Sequence, residues 1–308
     1  MKLRGFSGLS ADHRWQHSTS AAPTFIKAYP CRPDIKNRVF IPKPEASRPG
    51  RLPLYISVHG GGFIAGTPEL DDVFCSQLSK THGICVVAIG YRKSPRWVFP
   101  TAIQDIAAIA LSIIEGDSLP IDPTRVAIGG FSTGASLALA AVQTPAMKGL
   151  IHGVVGFNPI TDMTIPAAVK LSNVGHDEKV DRLGTTFCKL VQWASLPPGT
   201  DLSDPLISPI FAERLNLPGN VFLIGAELDM MCAEAERMSM GLAIYETGTQ
   251  AGNENDWEKG GVRWIKMIGY KHAFTHIKES GDRETERRAV VEELFHQLGL
   301  WLWEKVYV

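Results

Sequence analysis

The stretch Ala127-Ile128-Gly129-Gly130-Phe131-Ser132-Thr133-Gly134-Ala135-Ser136 constrains the fold of this chain more than any other. An apolar, strand-like run breaks at two glycines, offers one serine, and resumes as an Ala/Leu-rich helix. Gly130-Phe131-Ser132-Thr133-Gly134 fits Gly-x-Ser-x-Gly. In that pattern the serine sits on a strained strand-to-helix turn, and small residues two positions away let strand and helix pack closely. Three fixed positions in five recur by chance in many proteins, so the surroundings must give the pattern its meaning.

Those surroundings alternate between buried strands and helices. Leu52 to Val58, Ile84 to Ile89, Val126 to Ile128, Ile151 to Phe157, Val221 to Gly225 and Arg263 to Ile268 read as short strands, several of them apolar without a break. Uninterrupted apolar strands belong in a sheet covered on both faces. Helical spacing is expected around 71–80, over 101–115 between Pro100 and Gly116, from the serine turn to about Gln143, and over 233–245 and 284–305. The pattern predicts an α/β fold with a mostly parallel central sheet and right-handed crossovers. Residues 1–50 read as an N-terminal arm or lid contribution followed by the first strands, with a hairpin between Thr24–Ala28 and Val39–Ile41. Residues 51–308 form the main domain. Within it, strand signal disappears over about 163–205, where helical patches are interrupted by Pro166, Pro197 and Pro198, as expected of an inserted helical cap. Thr247 to Gly261 reads as a polar loop.

A net charge of −1 with 20% charged residues offers no electrostatic hold on nucleic acid or an anionic membrane. Five scattered cysteines without a Cys-x-x-Cys pair predict reduced thiols and no zinc site, and the histidines show no metal-ligand spacing. The first residues lack the apolar stretch of a signal peptide, and no run approaches the roughly 18 apolar residues of a membrane span. A cytoplasmic protein without a transmembrane segment is the expectation.

The ends of the strands carry the chemistry. A serine nucleophile needs a base, an acid to orient that base, and donors where an oxyanion forms. His272 follows the last strand and Asp229 the one before it, giving the chain order Ser132, Asp229, His272. His276 competes with His272, and Glu227 and Asp162 compete with Asp229. His59-Gly60-Gly61-Gly62 follows an early strand, where consecutive glycines let backbone N–H groups approach a substrate oxygen; the N–H of Thr133 would add another donor. Arg92 and Tyr91 read as supports of the loop beneath that turn. Trp193, Phe187 and Leu190 are either pocket-lining cap residues or ordinary helix packing.

On these residues the chain resembles the hormone-sensitive-lipase-like branch of the α/β-hydrolases, the alpha/beta hydrolase fold-3 group. His59-Gly60-Gly61-Gly62-Phe63 resembles the oxyanion motif, Tyr91-Arg92-Lys93-Ser94-Pro95 with Phe99-Pro100 the Tyr-Arg-x-x-Pro and Phe-Pro segment, and Asn158-Pro159-Ile160-Thr161-Asp162 the post-strand Pro-x-x-Asp turn. The resemblance implies an α/β-hydrolase fold with Ser132 as nucleophile, Asp229 as orienting acid, His272 as base, and Gly61, Gly62 and Thr133 as oxyanion donors. It implies a carboxylesterase-type enzyme that takes a small to medium ester and needs no cofactor. Two departures stand out: Phe131 and Thr133 flank the serine where the family usually has Asp and Ala, and His272-Ala273-Phe274 replaces His-Gly-Phe. Phe63 and Phe131 are accordingly candidate substrate-binding residues. An acyltransferase, a lactone-opening or other tailoring enzyme on the same scaffold, and a non-catalytic ligand receptor are the alternatives. The oligomeric state stays open, a homodimer being one option.

Overall fold

The computed structural model describes residues 21–43, 50–172, 174 and 178–308. Ten strands form one sheet: β1 (Phe25–Tyr29), β2 (Arg32–Phe40), β3 (Leu52–Val58), β4 (Cys85–Ile89), β5 (Ile121–Phe131), β6 (Gly153–Phe157), β7 (Asn220–Leu228), β8 (Ala251–Gly252), β9 (Asp256–Lys259) and β10 (Val262–Lys271). Their spatial order is β1-β2-β4-β3-β5-β6-β7-β10-β9-β8. The six strands from β4 to β10 in that order run parallel, and an antiparallel pair closes each edge.

Side chains along the central strands alternate between two cores. Leu54, Ile56, Val58, Val126, Ile128 and Leu223 face one, packed with α2 (Thr101–Ile114), α3 (Thr133–Ala141) and α6 (Cys232–Ala243). Tyr55, Ala127, Val155, Phe157 and Phe222 face the other, beneath α1 (Asp72–His82) and α7 (Asp282–Trp301). A period of two with both faces apolar is what covering helices on each side demand. Between β6 and β7 the chain leaves the sheet to form α4 (Ala167–Ser172) and α5 (Glu178–Ser195).

From β3 the chain passes through α1 to β4 on one side, then returns through α2 to β5 on the other. The connections therefore diverge between β3 and β5, leaving a crevice at their carboxyl ends, the usual place for a ligand in an open α/β sheet. Val58 pairs with Gly130 in this part of the ladder.

The N-terminal hairpin appears as β1 and β2, with β2 antiparallel to β4. Its expected preceding arm lies largely outside the described residues. Several features differ from the sequence reading: β2 begins at Arg32, well before Val39, and β5 runs on to Phe131. β5 starts at Ile121, and the polar stretch after α6 contains the β8–β9 hairpin, whose turn is held by Asn253 Oδ1 accepting the N–H groups of Asn255 at 2.8 Å and Asp256 at 3.0 Å. An edge hairpin exposed to solvent lacks the alternation that marks a half-buried strand.

Candidate active site

Ser132 stands between β5 and α3 at φ 54° and ψ −123°, a conformation a non-glycine residue holds only when its surroundings enforce it. They do so from both sides. Its N–H donates to Phe157 O of β6 at 2.7 Å, and its carbonyl accepts the N–H of Ala135 at 3.0 Å. Gly134 is required by close approach, since a Cβ there would lie 2.0 Å from Val58 O of β3.

Asp229 follows β7, and its carboxylate is 1% exposed. His272 follows β10 directly. Its Nδ1–H donates to Asp229 Oδ2 at 2.7 Å, while Nε2 accepts the Ser132 Oγ–H at 2.9 Å. Asp229 Oδ1 in turn accepts the Met231 N–H at 3.1 Å. Burial pulls the His272 pKa down, but the charge and hydrogen bond of Asp229 more than offset it, leaving the imidazole above its ordinary value.

The competing residues are engaged elsewhere. His276 Nε2 lies 3.2 Å from Asp71 Oδ1, beneath the Phe131 ring. Glu227 accepts the Gly269 N–H at 2.8 Å, and Asp162 pairs with Arg237 at 3.0 Å.

The glycine turn after β3 needs unusual torsions: φ is 128° at Gly61, 65° at Gly62 and 63° at Phe63. At Gly61 a side chain is excluded outright, because a Cβ would stand 2.2 Å from Ala65 O. His59 anchors the turn from below. Its Nδ1–H donates to Gly60 O at 2.7 Å, its ring stacks on Tyr91 at 4.4 Å and 11°, and Tyr91 Oη donates to His59 O at 3.0 Å. Burial holds the His59 pKa down to about 4, so the ring is neutral and structural. Arg92 continues the support. Its backbone N–H and guanidinium converge on buried Asp105 of α2, with Arg92 Nη2 at 2.6 Å from the carboxylate, while Arg32 reaches the same group.

Two expected site residues behave differently from the sequence reading. The Gly62 N–H, expected to face an oxyanion, donates instead to Thr133 Oγ1 at 3.0 Å, because the β-branched side chain at this position places a hydroxyl against the glycine turn. Phe131, expected to meet substrate, is 5% exposed. It stacks on Phe157 at 4.5 Å and meets Phe74 edge-on at 5.2 Å, because the last residue of β5 points with Ala127 toward α1 and α7. Phe63 lines a cavity of about 40 Å³ together with Trp97, Phe99, Ser136, Leu137 and Met163, a cavity to which Ser132, Asp229 and His272 do not contribute.

Helix α5 reaches the glycine turn. A Cβ on Gly62 would stand 3.3 Å from Val191 and 3.4 Å from the Phe187 ring, whereas Trp193 is 75% exposed. A contact that sequence reasoning missed holds α4 in place: Lys170 forms a buried ion pair with Glu234 of α6 and also donates to Asp162 O. Glu234 Oε1 accepts the N–H of Thr161 at 2.9 Å. A lysine and a glutamate 64 positions apart carry no local signal of such pairing.

A parallel sheet with a serine elbow, a histidine and an aspartate at successive strand ends defines a class of fold. The chain belongs to the alpha/beta hydrolase fold family, whose sequence model matches residues 55–254. It is 31% identical over 268 residues to the ethyl acetate hydrolase of Pseudomonas putida, covering 83% of this chain and 76% of that protein. It is 28% identical over 243 residues to the acetyl-hydrolase of Streptomyces hygroscopicus, covering 78% and 75%. Among solved structures, an ester hydrolase from the metagenome of Lake Arreo, complexed with a derivative of bipyridine phosphonate, superimposes with a TM-score of 0.71. It is 25% identical and covers 90% of this chain and 81% of that one. Among the described residues no helix is long and apolar enough to cross a membrane.

Proposed function

We propose that this protein is a serine carboxylic-ester hydrolase working through an acyl-enzyme. The observation that carries the reading is the continuous hydrogen-bonded line from Ser132 Oγ through His272 to Asp229, at 2.9 Å and 2.7 Å. Ser132 Oγ attacks the ester carbonyl as its proton passes to His272 Nε2. The resulting imidazolium lies against the Asp229 carboxylate, and the developing oxyanion is received by backbone N–H groups of Gly61 and Thr133. Collapse of the tetrahedral species expels the alcohol, which takes the proton from His272. A water activated by the same imidazole then releases the acid.

Helices α4 and α5 serve as the cap, with Phe187 and Val191 over the glycine turn and Phe63 on the wall beneath. The names of the relatives, an ethyl acetate hydrolase and an acetyl-hydrolase, support a short acyl group. The burial of Phe131 removes one of the two residues that motivated a non-hydrolytic alternative.

Hydrolysis of p-nitrophenyl acetate together with fluorophosphonate labelling tests the proposal. Wild type is expected to hydrolyse and to be labelled at Ser132, and Ser132→Ala to lose about 10⁴–10⁶-fold in kcat. Full activity in Ser132→Ala would refute the mechanism.

A further inference from the structure

The side chain of Thr133 joins the two halves of the site. Its hydroxyl accepts the Gly62 N–H at 3.0 Å. Tyr91 Oη, which donates to His59 O at 3.0 Å, holds the other end of the same turn. Thr133 is 1% exposed and Tyr91 3%. The glycine turn is thus held at both ends, by Tyr91 at the His59 carbonyl and by Thr133 at the Gly62 N–H. Nothing else ties the Gly62 end of that turn to the elbow by a hydrogen bond among the described residues.

From this geometry we infer that Thr133 is a positioning residue acting through its side chain as well as a donor through its N–H. Its hydroxyl clamps the glycine turn to the first residue of α3, fixing the Gly61 N–H beside the Thr133 N–H, and it takes the Gly62 N–H out of the set that meets the oxyanion. The hole therefore works with two donors. This rests on the ester-hydrolase reading above and adds to it a role for a residue whose backbone alone entered the mechanism. The reason a hydroxyl is needed is geometric. An oxyanion donor is effective only when already aimed at the oxygen, and a turn with three consecutive positive φ values has the freedom to swing away unless it is held.

The test compares Thr133→Val, which keeps the β-branched shape without the hydroxyl, with Thr133→Ser, which keeps the hydroxyl without the methyl. Steady-state kinetics on p-nitrophenyl acetate are read as kcat and KM separately, alongside affinity for a trifluoromethyl ketone that forms a tetrahedral adduct. In Thr133→Val, kcat is expected to fall about tenfold or more with KM within about twofold, and the ketone to bind weaker by a similar factor; Thr133→Ser recovers most of the loss. Thr133→Ala, which is smaller and creates no overpacking, carries the same expectation should the valine variant not fold. Equal kcat in the valine or alanine variant and wild type overturns the clamp. A higher kcat also overturns it, because the hydroxyl would then have been withholding a useful third donor. A wild type that neither hydrolyses nor labels would instead sink the enzymatic reading itself, which separates the two failures.

Discussion

His272 Nδ1 and Asp229 Oδ2 lie 2.7 Å apart, with the carboxylate almost wholly enclosed and the imidazole side chain 36% exposed. The base is thus open to the cleft while its orienting partner is shielded. Asp229 raises the His272 pKa against the pull of burial. As a general base His272 works only when neutral, so kcat/KM is expected to climb with pH through a midpoint above the ordinary histidine value of about 6.5. Asp229→Asn removes both raising causes and leaves burial. The His272 titration followed by NMR then moves down, and kcat falls by about 10⁴ because the amide favours the wrong tautomer. A midpoint that stays in place would show that the carboxylate does not set the charge of the base.

Phe131 packs among Phe74, Phe157 and Phe295. Phe131→Ala is expected to cost about 3–5 kcal/mol in urea unfolding, as for other large aromatic deletions from a core. The preference among acetate, butyrate and hexanoate esters should remain that of wild type. A changed acyl-length preference in a protein of unaltered stability would place the ring at the substrate after all.

Ala273, the residue after the histidine, has φ 58°. A left-handed alanine carries about 1–2 kcal/mol of steric cost that glycine avoids. Glycine gives back about 0.4–1 kcal/mol through the greater freedom of the unfolded chain. Ala273→Gly is therefore expected to gain about 1 kcal/mol in urea denaturation, and a loss of stability would refute the strain. The sequence marked this position as a departure from the family's His-Gly-Phe; the torsion explains why glycine suits it.

Much of the site was legible because its parts hang on strand ends, and strands buried on both faces announce themselves as unbroken apolar runs. Ser132 and Asp229 each follow such a run, Val126–Ile128 and Val221–Gly225, while His272 follows Arg263–Ile268, where Arg263 and Lys266 interrupt the apolar residues, so the chain order of the three can be read from the strand ends. Phe131 is a substrate-binding candidate in the sequence because it departs from the family pattern beside Ser132, and a strand ending at Ile128 assigns its ring to neither face. Extending β5 to Phe131 and counting by twos from Ala127 assigns the ring to the face toward α7. The bond from Gly62 to Thr133 and the ion pair of Lys170 with Glu234 had no such signal. Both join residues far apart in the chain, and which polar groups meet is decided only once the sheet and its covering helices are assembled.

The pairing of Val58 with Gly130 has a wider consequence. Strands advance about 3.3 Å per residue, so shifting β5 by two places against β3 would carry the serine roughly 7 Å past the glycine turn while every side chain kept its face. The alignment of nucleophile and oxyanion donors is therefore a property of the sheet's backbone ladder. Changes in the helices above it can redraw what enters the cleft without disturbing the reacting atoms, which gives a scaffold of this kind room to acquire new substrates.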